Sequence, residues 1–356
     1  VRGQRNRLLL GAAVAALLLI VFFRGVDWGD LARALEAAHP VYLAGIVVVT
    51  LCVYTLRAWR WGYLLAPLGR VRLSDLVSAT IVGFASALLI PRAGEIVRPW
   101  LVSRRYPIPT SAGFATIILE RLIDLITVLV LFAAYLFVLP TPAAEVQGRT
   151  MDLVQAAGAL AGAAAALVLI VLVALHRRTD QFVGALERLL VRAPRWLAGP
   201  ASRTVRAFSG GLAVLRAPAF HLATLFAQSL LIWLLIALGF YLNHLAFSID
   251  LPFQATFLLI AFLVVGVAIP TPGMVGGFHA FYLLALTEVY GIDRTTAAAA
   301  GIAAHALTNL PVLVLGLVLL GREGISLGRV AEVAQEGAVA SSGTPAAALP
   351  VGPEAR

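Results

Sequence analysis

Residues 83–124 read GFASALLIPRAGEIVRPWLVSRRYPIPTSAGFATIILERLID, and this stretch decides the fold. Apolar runs long enough to enter a bilayer alternate here with Arg92, Glu95, Arg98, Arg104, Arg105, Glu120, Arg121 and Asp124. An ionised side chain at the centre of a membrane helix costs roughly 2.5–3.5 kcal/mol on insertion scales. Charges retained against that cost point to use. The alternative for Arg104 and Arg105 is a cytoplasmic loop whose arginines only fix topology. It explains Glu95, Glu120 and Asp124 less well, because acidic residues contribute little to topology.

The whole chain supports a membrane setting. Of its 356 residues, 61% are hydrophobic and 13% charged, against about 25% charged in soluble domains, and the mean hydropathy is +0.93. Several apolar runs approach the roughly 20 residues needed to cross the hydrocarbon core. The net charge of +9 is carried entirely by arginine, since the chain contains no lysine. A phosphate-binding P-loop requires its lysine, so that route to ATP hydrolysis is excluded. Most of the arginines flank apolar segments, where the positive-inside rule and anionic lipid explain them better than nucleic acid does. Cys52 is the single cysteine and the six histidines show no metal-ligand spacing; no cofactor or metal is expected.

Working outward, Arg2, Arg5 and Arg7 precede an apolar run from Leu8 to Phe23, read as a retained first span with a cytoplasmic N-terminus. Val41 to Leu56 returns and ends in Arg57-Ala58-Trp59-Arg60-Trp61. Arg57 and Arg60 share a helical face, either as snorkelling interface anchors or as headgroup contacts. Leu76 to Ile90 is short for a span, and Pro91 and Gly94 break it; a re-entrant turn would keep the following arginines cytoplasmic. Gly113 to Leu139 goes outward with Glu120 and Asp124 on one face, and Leu153 to Leu175 returns. Residues 176–218 carry eight arginines and are expected to be a cytoplasmic connector with interfacial helices. His221 to Phe247 spans again, Phe253 to Tyr290 is broken by a Pro/Gly turn at 270–277, and Thr295 to Leu320 is the last span. Residues 326–356, rich in Ala, Gly, Ser and Pro from about Glu332, are expected to be a disordered cytoplasmic tail.

The expected architecture is therefore an all-α polytopic membrane protein with about six full spans and two re-entrant hairpins, eight apolar segments in all. Its transmembrane domain covers residues 1–325, in halves of about 1–140 and 151–325. These halves can be superposed: Pro40 corresponds to Pro218, Pro91 to Pro270, and Thr110–Asp124 to Thr295–Asn309. Glu120 then faces His305, and Asp124 faces Asn309. With one half starting inside and the other outside, this is an inverted-topology repeat, whose paired Gly/Pro breaks mark a transport site near the midplane.

Arg57-x-x-Arg60, Pro91-Arg92-Ala93-Gly94-Glu95-x-x-Arg98, Glu120-Arg121-x-x-Asp124 and Pro270-x-Pro272-Gly273 together resemble the flippase-like membrane-protein family. That family is similar to the membrane region of lysylphosphatidylglycerol synthases, also called the multiple peptide resistance factor. The resemblance runs to about residue 325 and implies a lipid translocase of the inner membrane. Many members carry Glu near the second turn, where this chain has His279.

The expected activity is non-enzymatic movement of a lipid between leaflets. Its cargo would be an anionic or aminoacylated phospholipid, or a lipid of the polyprenyl-phosphate type. Arg92, Arg98 and Arg121 would grip the phosphate, since guanidinium bonds phosphate oxygens in pairs. Glu95, Glu120 and Asp124 would hold those arginines; Arg57, Arg60, His279, His305 and Asn309 complete the candidate set. A buried ion-pair cluster that merely fixes helix packing is the alternative for Glu120, Arg121 and Asp124. Expected partners are lipids with phosphate headgroups, with a homo-oligomer or an envelope-synthesis protein as further candidates. Two other functions stay open: a scaffold or regulator of cell-envelope lipid synthesis, and a membrane-embedded transferase.

Overall fold

The computed structural model describes residues 2–91, 93–138 and 217–342, together with isolated positions between 159 and 181. All regular structure among these residues is helical, with no strand. Helix α1 (Arg2–Phe23) leads through Gly25 to the short α2 (Trp28–Ala37), whose N-terminus is capped by the Asp27 carboxylate accepting from Asp30 N at 2.9 Å. Pro40 then opens α3 (Pro40–Leu65), where its missing N–H costs nothing.

Two helical hairpins follow the same plan. Helix α4 (Leu73–Leu89) ends at Ile90, whose extended backbone is what a following proline demands, and α5 (Ala93–Ser103) folds back on it. Helix α6 (Thr110–Phe137) comes next. In the second half, α7 (Ala219–Ala246) is followed by α8 (Ala255–Ala268), a turn through Pro270 to Gly276, and α9 (Gly277–Leu284). Gly276 sits at φ 88°, tightly against Ala15 and Leu18 of α1, a conformation and a space that suit only glycine. Helix α10 (Arg294–Arg322) and α11 (Leu327–Ser342) close the described chain.

In each hairpin the two helices touch backbone to backbone at a glycine pair with the same sequence separation. A Cβ on Gly94 would overlap the carbonyl oxygen of Gly83, and one on Gly266 would lie 2.6 Å from that of Gly277. Small residues allow this approach inside a membrane, where packing rather than the hydrophobic effect holds helices together. At a 1.5 Å rise per residue α4 is about 26 Å long and α5 about 16 Å. Neither matches the roughly 30 Å of a hydrocarbon core.

Helices α3 and α7 run antiparallel at the centre. His39 N donates to Ala246 O at 2.9 Å at one end, and the Tyr63 and His221 rings lie 4.9 Å apart at the other. Around this pair the buried apolar side chains form two cores. One joins α4 and α5 to the ends of α3 and α10 and the start of α7, through Trp61, Val97, Leu225 and Leu320. The other joins α8 and α9 to α1, the end of α6 and α7 and the start of α10, through Phe22, Tyr135, Leu258 and Ala297. The hairpins thus sit at opposite ends of the bundle.

The helices Pro40–Leu65, Phe220–Ala246 and Arg294–Arg322 are long and apolar enough to cross a membrane. Helix α6 is as long, but its first half carries Glu120, Arg121 and Asp124. One expectation is corrected. The stretch read as the start of a disordered tail is helical over Leu327–Ser342 and packs on α5. Val330, Val333 and Ala334 recur at helical spacing and are buried, a period that outweighs the loop-like composition. Residues 343–356, the connector 182–216 and nearly all of Leu153–Leu175 lie outside the described residues.

Gly94→Ala and Gly277→Ala should each destabilise the protein by about 1–3 kcal/mol, because the added methyl meets backbone that cannot retreat. Gly321→Ala, with open space around it, should change stability by less than about 0.5 kcal/mol. Reversible unfolding in detergent micelles measures all three.

Candidate functional site

The glycine crossing in the first hairpin delivers a charge. A Cβ on Gly83 would overlap the Cγ of Arg98, so the glycine leaves a channel for the arginine stem. Through it Arg98 reaches α6 and donates from Nη1 to Glu120 Oε1 at 3.0 Å and from Nη2 to Oε2 at 3.2 Å. The guanidinium lies 4.5 Å from the centre of the Trp61 ring, and Trp61 Nε1 donates to Thr116 Oγ1 at 3.0 Å. Both charged partners are buried.

One turn along α6, Asp124 takes the arginines of α3. Arg60 donates to its two carboxylate oxygens at 2.6 and 3.1 Å, and Arg57 approaches Oδ2 at 3.4 Å. From α7, Ser229 Oγ and Trp233 Nε1 each donate to Asp124 Oδ1 at 3.1 Å. Arg60 also lies 3.6 Å from Glu120, so the two carboxylates and the buried arginines form one network. Arg57 and Arg60 are 7% and 0% exposed, which rules out the snorkelling role and assigns them to the interior.

Arg121 behaves differently. It follows Glu120 by one residue and so projects off the buried face of α6; it is exposed and has no carboxylate partner among the described residues. Its guanidinium lies 5.7 Å from the Phe84 ring of α4, and those of Arg57 and Arg98 lie 5.4 and 5.6 Å from the same ring. Three guanidiniums therefore converge on one half-buried phenylalanine, within the range of cation–π attraction.

The other sequence candidates are distributed as follows. Glu95 is half-buried on α5 and has no hydrogen bond or ion pair among the described residues. Arg92 lies outside the described residues. His279, His305 and Asn309 gather around the second turn instead. The His279 and His305 rings are 4.7 Å apart, His305 Nε2 lies 2.8 Å from Gly273 O, and Asn309 Nδ2 donates to His305 O at 2.8 Å. Among the described residues they contact none of the first-half charges, and Glu120 and His305 do not meet. Sequence reasoning missed Phe84, Ser229 and Trp233. Ser229 had a signal, because Gln228-Ser229 interrupts an otherwise apolar helix; Phe84 and Trp233 had none among so many aromatic membrane residues.

The model of the lysylphosphatidylglycerol synthase transmembrane region matches residues 8–316, most of the chain and all of the charged network. The chain belongs to that family. As a member of the lysylphosphatidylglycerol synthase transmembrane-region family, it is a multi-pass membrane protein. It is also similar to the glycosyltransferase AglD of Haloferax volcanii, with 30% identity over 127 residues, which make up 35% of this chain and 20% of that protein. The match therefore takes in only a fifth of that relative's length.

Asp124→Ala should cost about 3–5 kcal/mol, because it strands the buried guanidiniums of Arg57 and Arg60. Replacing Arg98 and Glu120 together with Met and Leu should recover most of what either single change loses. A double-mutant cycle of unfolding in detergent gives both numbers.

Proposed function

We propose that the protein is a lipid transporter of the inner (cytoplasmic) membrane that moves a lipid with a phosphate headgroup between leaflets, with both termini in the cytoplasm. The supporting observation is Arg121, an exposed guanidinium with no carboxylate partner beside a buried network whose own carboxylates are already occupied. Planar guanidinium is suited to bidentate capture of phosphate oxygens. In this reading Arg98 and Arg60 do not grip the headgroup; they position α5 and α3 against Glu120 and Asp124.

The antiparallel α3 and α7, with glycine-crossed hairpins at opposite ends, support an inverted repeat of two half-spanning elements. Rocking of one repeat against the other would expose the site to each leaflet in turn. The likeness to part of a glycosyltransferase supports a second reading, in which the chain presents its lipid to an envelope-synthesis partner or a second copy that carries out group transfer.

Purified protein in proteoliposomes separates the two. Transport predicts scrambling or directional movement of a labelled phospholipid by the protein alone, slowed about tenfold or more by Arg121→Gln through loss of one charge-assisted hydrogen-bonding group. Arg322→Gln, at the exposed end of α10, should leave the rate unchanged. Absence of movement by the wild type, or equal rates for Arg121→Gln and Arg322→Gln, would refute the transport reading.

A further inference from the structure

We infer that the headgroup is a phosphomonoester dianion, as at the end of a phosphatidic-acid-like or polyprenyl-phosphate-like lipid; this deepens, and rests on, the lipid-transport reading. The charge count at the site carries it. Four guanidiniums, those of Arg57, Arg60, Arg98 and Arg121, meet two carboxylates, those of Glu120 and Asp124. Arg98 takes both oxygens of Glu120, and Arg60 takes both of Asp124. Four guanidiniums against two carboxylates leave the cluster a surplus of two positive charges, and Arg57 and Arg121 are its least tightly paired cations. Arg57 reaches Asp124 only at 3.4 Å, and Arg121 has no acidic partner among the described residues.

These two more loosely held guanidiniums stand at one place. Both lie over the Phe84 ring, at 5.4 and 5.7 Å. The Tyr54 ring meets Phe84 edge-on at 5.0 Å, and the Trp233 ring lies 5.8 Å from Arg57. Aromatic rings thus flank both guanidiniums, of which Arg121 is exposed and Arg57 is buried. Glu95, one turn before Arg98 on α5, pairs with neither of them.

A phosphodiester brings one charge and two free oxygens, and would leave one guanidinium uncompensated at membrane depth. An aminoacyl or amine headgroup would add a cation where cations already exceed anions. A monoester at neutral pH brings close to two charges and three acceptor oxygens, enough for a two-oxygen contact to each arginine. Inorganic phosphate shares this chemistry, so the test must tell a lipid from a free ion.

The test is calorimetric titration of the full chain in detergent with short-chain phosphatidic acid, short-chain phosphatidylglycerol and inorganic phosphate, each supplied separately. At about pH 8 the phosphatidic acid should bind about tenfold or more tighter than phosphatidylglycerol. At about pH 5 the advantage should vanish, because protonation near pH 6 removes the second charge of a monoester and leaves a diester unaffected. Arg57→Gln and Arg121→Gln should each erase the preference, while Arg322→Gln keeps it. If either variant fails to fold, the wild-type pH dependence alone decides. Equal or tighter binding of phosphatidylglycerol at about pH 8, or a preference that does not change with pH, overturns the dianion and leaves lipid transport standing. Inorganic phosphate binding as tightly as phosphatidic acid supports the dianion and removes the lipid from the reading. Failure of both lipids to bind overturns both.

Discussion

Two carboxylates on one face of α6 hold this structure together. Glu120 and Asp124 are four residues apart, so they point the same way, and each accepts a guanidinium from a different helix. Arg98 arrives from α5, Arg60 and Arg57 from α3, and Asp124 also receives Ser229 and Trp233 from α7. At this depth an unpaired charge costs several kcal/mol, so these helices are tied to α6 or the charges are stranded. The first hairpin exists in its observed form because Arg98 must reach Glu120. The Gly83–Gly94 contact brings α5 close enough, and the absent side chain of Gly83 leaves room for the arginine stem.

The same constraint explains the difference between the two halves. The second hairpin repeats the glycine crossing at Gly266 and Gly277 but delivers His279 in place of a charged pair. Its surroundings are correspondingly apolar, with Phe22 and Phe278 against the histidine rings. The glycine crossing therefore recurs while the charged network does not. The surplus of positive charge among these buried groups lies in the first half.

Much of this was legible in the sequence, and the exceptions have physical reasons. Pro91 with Gly94, and Pro270 through Gly276, marked the hairpin breaks because proline and glycine act through local backbone chemistry. Glu120 and Asp124 were legible as a pair because helical spacing alone puts them on one face. The division of labour among the arginines was not legible. Arg98 and Arg121 look alike as residues in apolar sequence, yet one is spent on a carboxylate and the other is not, a difference set by how α5 packs on α6. Phe84, the ring that gathers three guanidiniums, is one of 17 phenylalanines and carries no local mark. The short helix at Leu327–Ser342 was hidden for another reason: its composition resembles a loop, and only burial against α5 separates it from one.

The central claim is that the Arg57 and Arg121 guanidiniums over Phe84 form the headgroup site. The most direct measurement is an electron cryomicroscopy map of the full chain in nanodiscs containing phosphatidic acid. The account predicts phosphate density bridging the Arg57 and Arg121 side chains beside the Phe84 ring, with the Arg98–Glu120 and Arg60–Asp124 pairs intact. A map with that space empty and headgroups ordered only at the membrane surface would contradict it, as would a phosphate bound to Arg98 in place of Glu120.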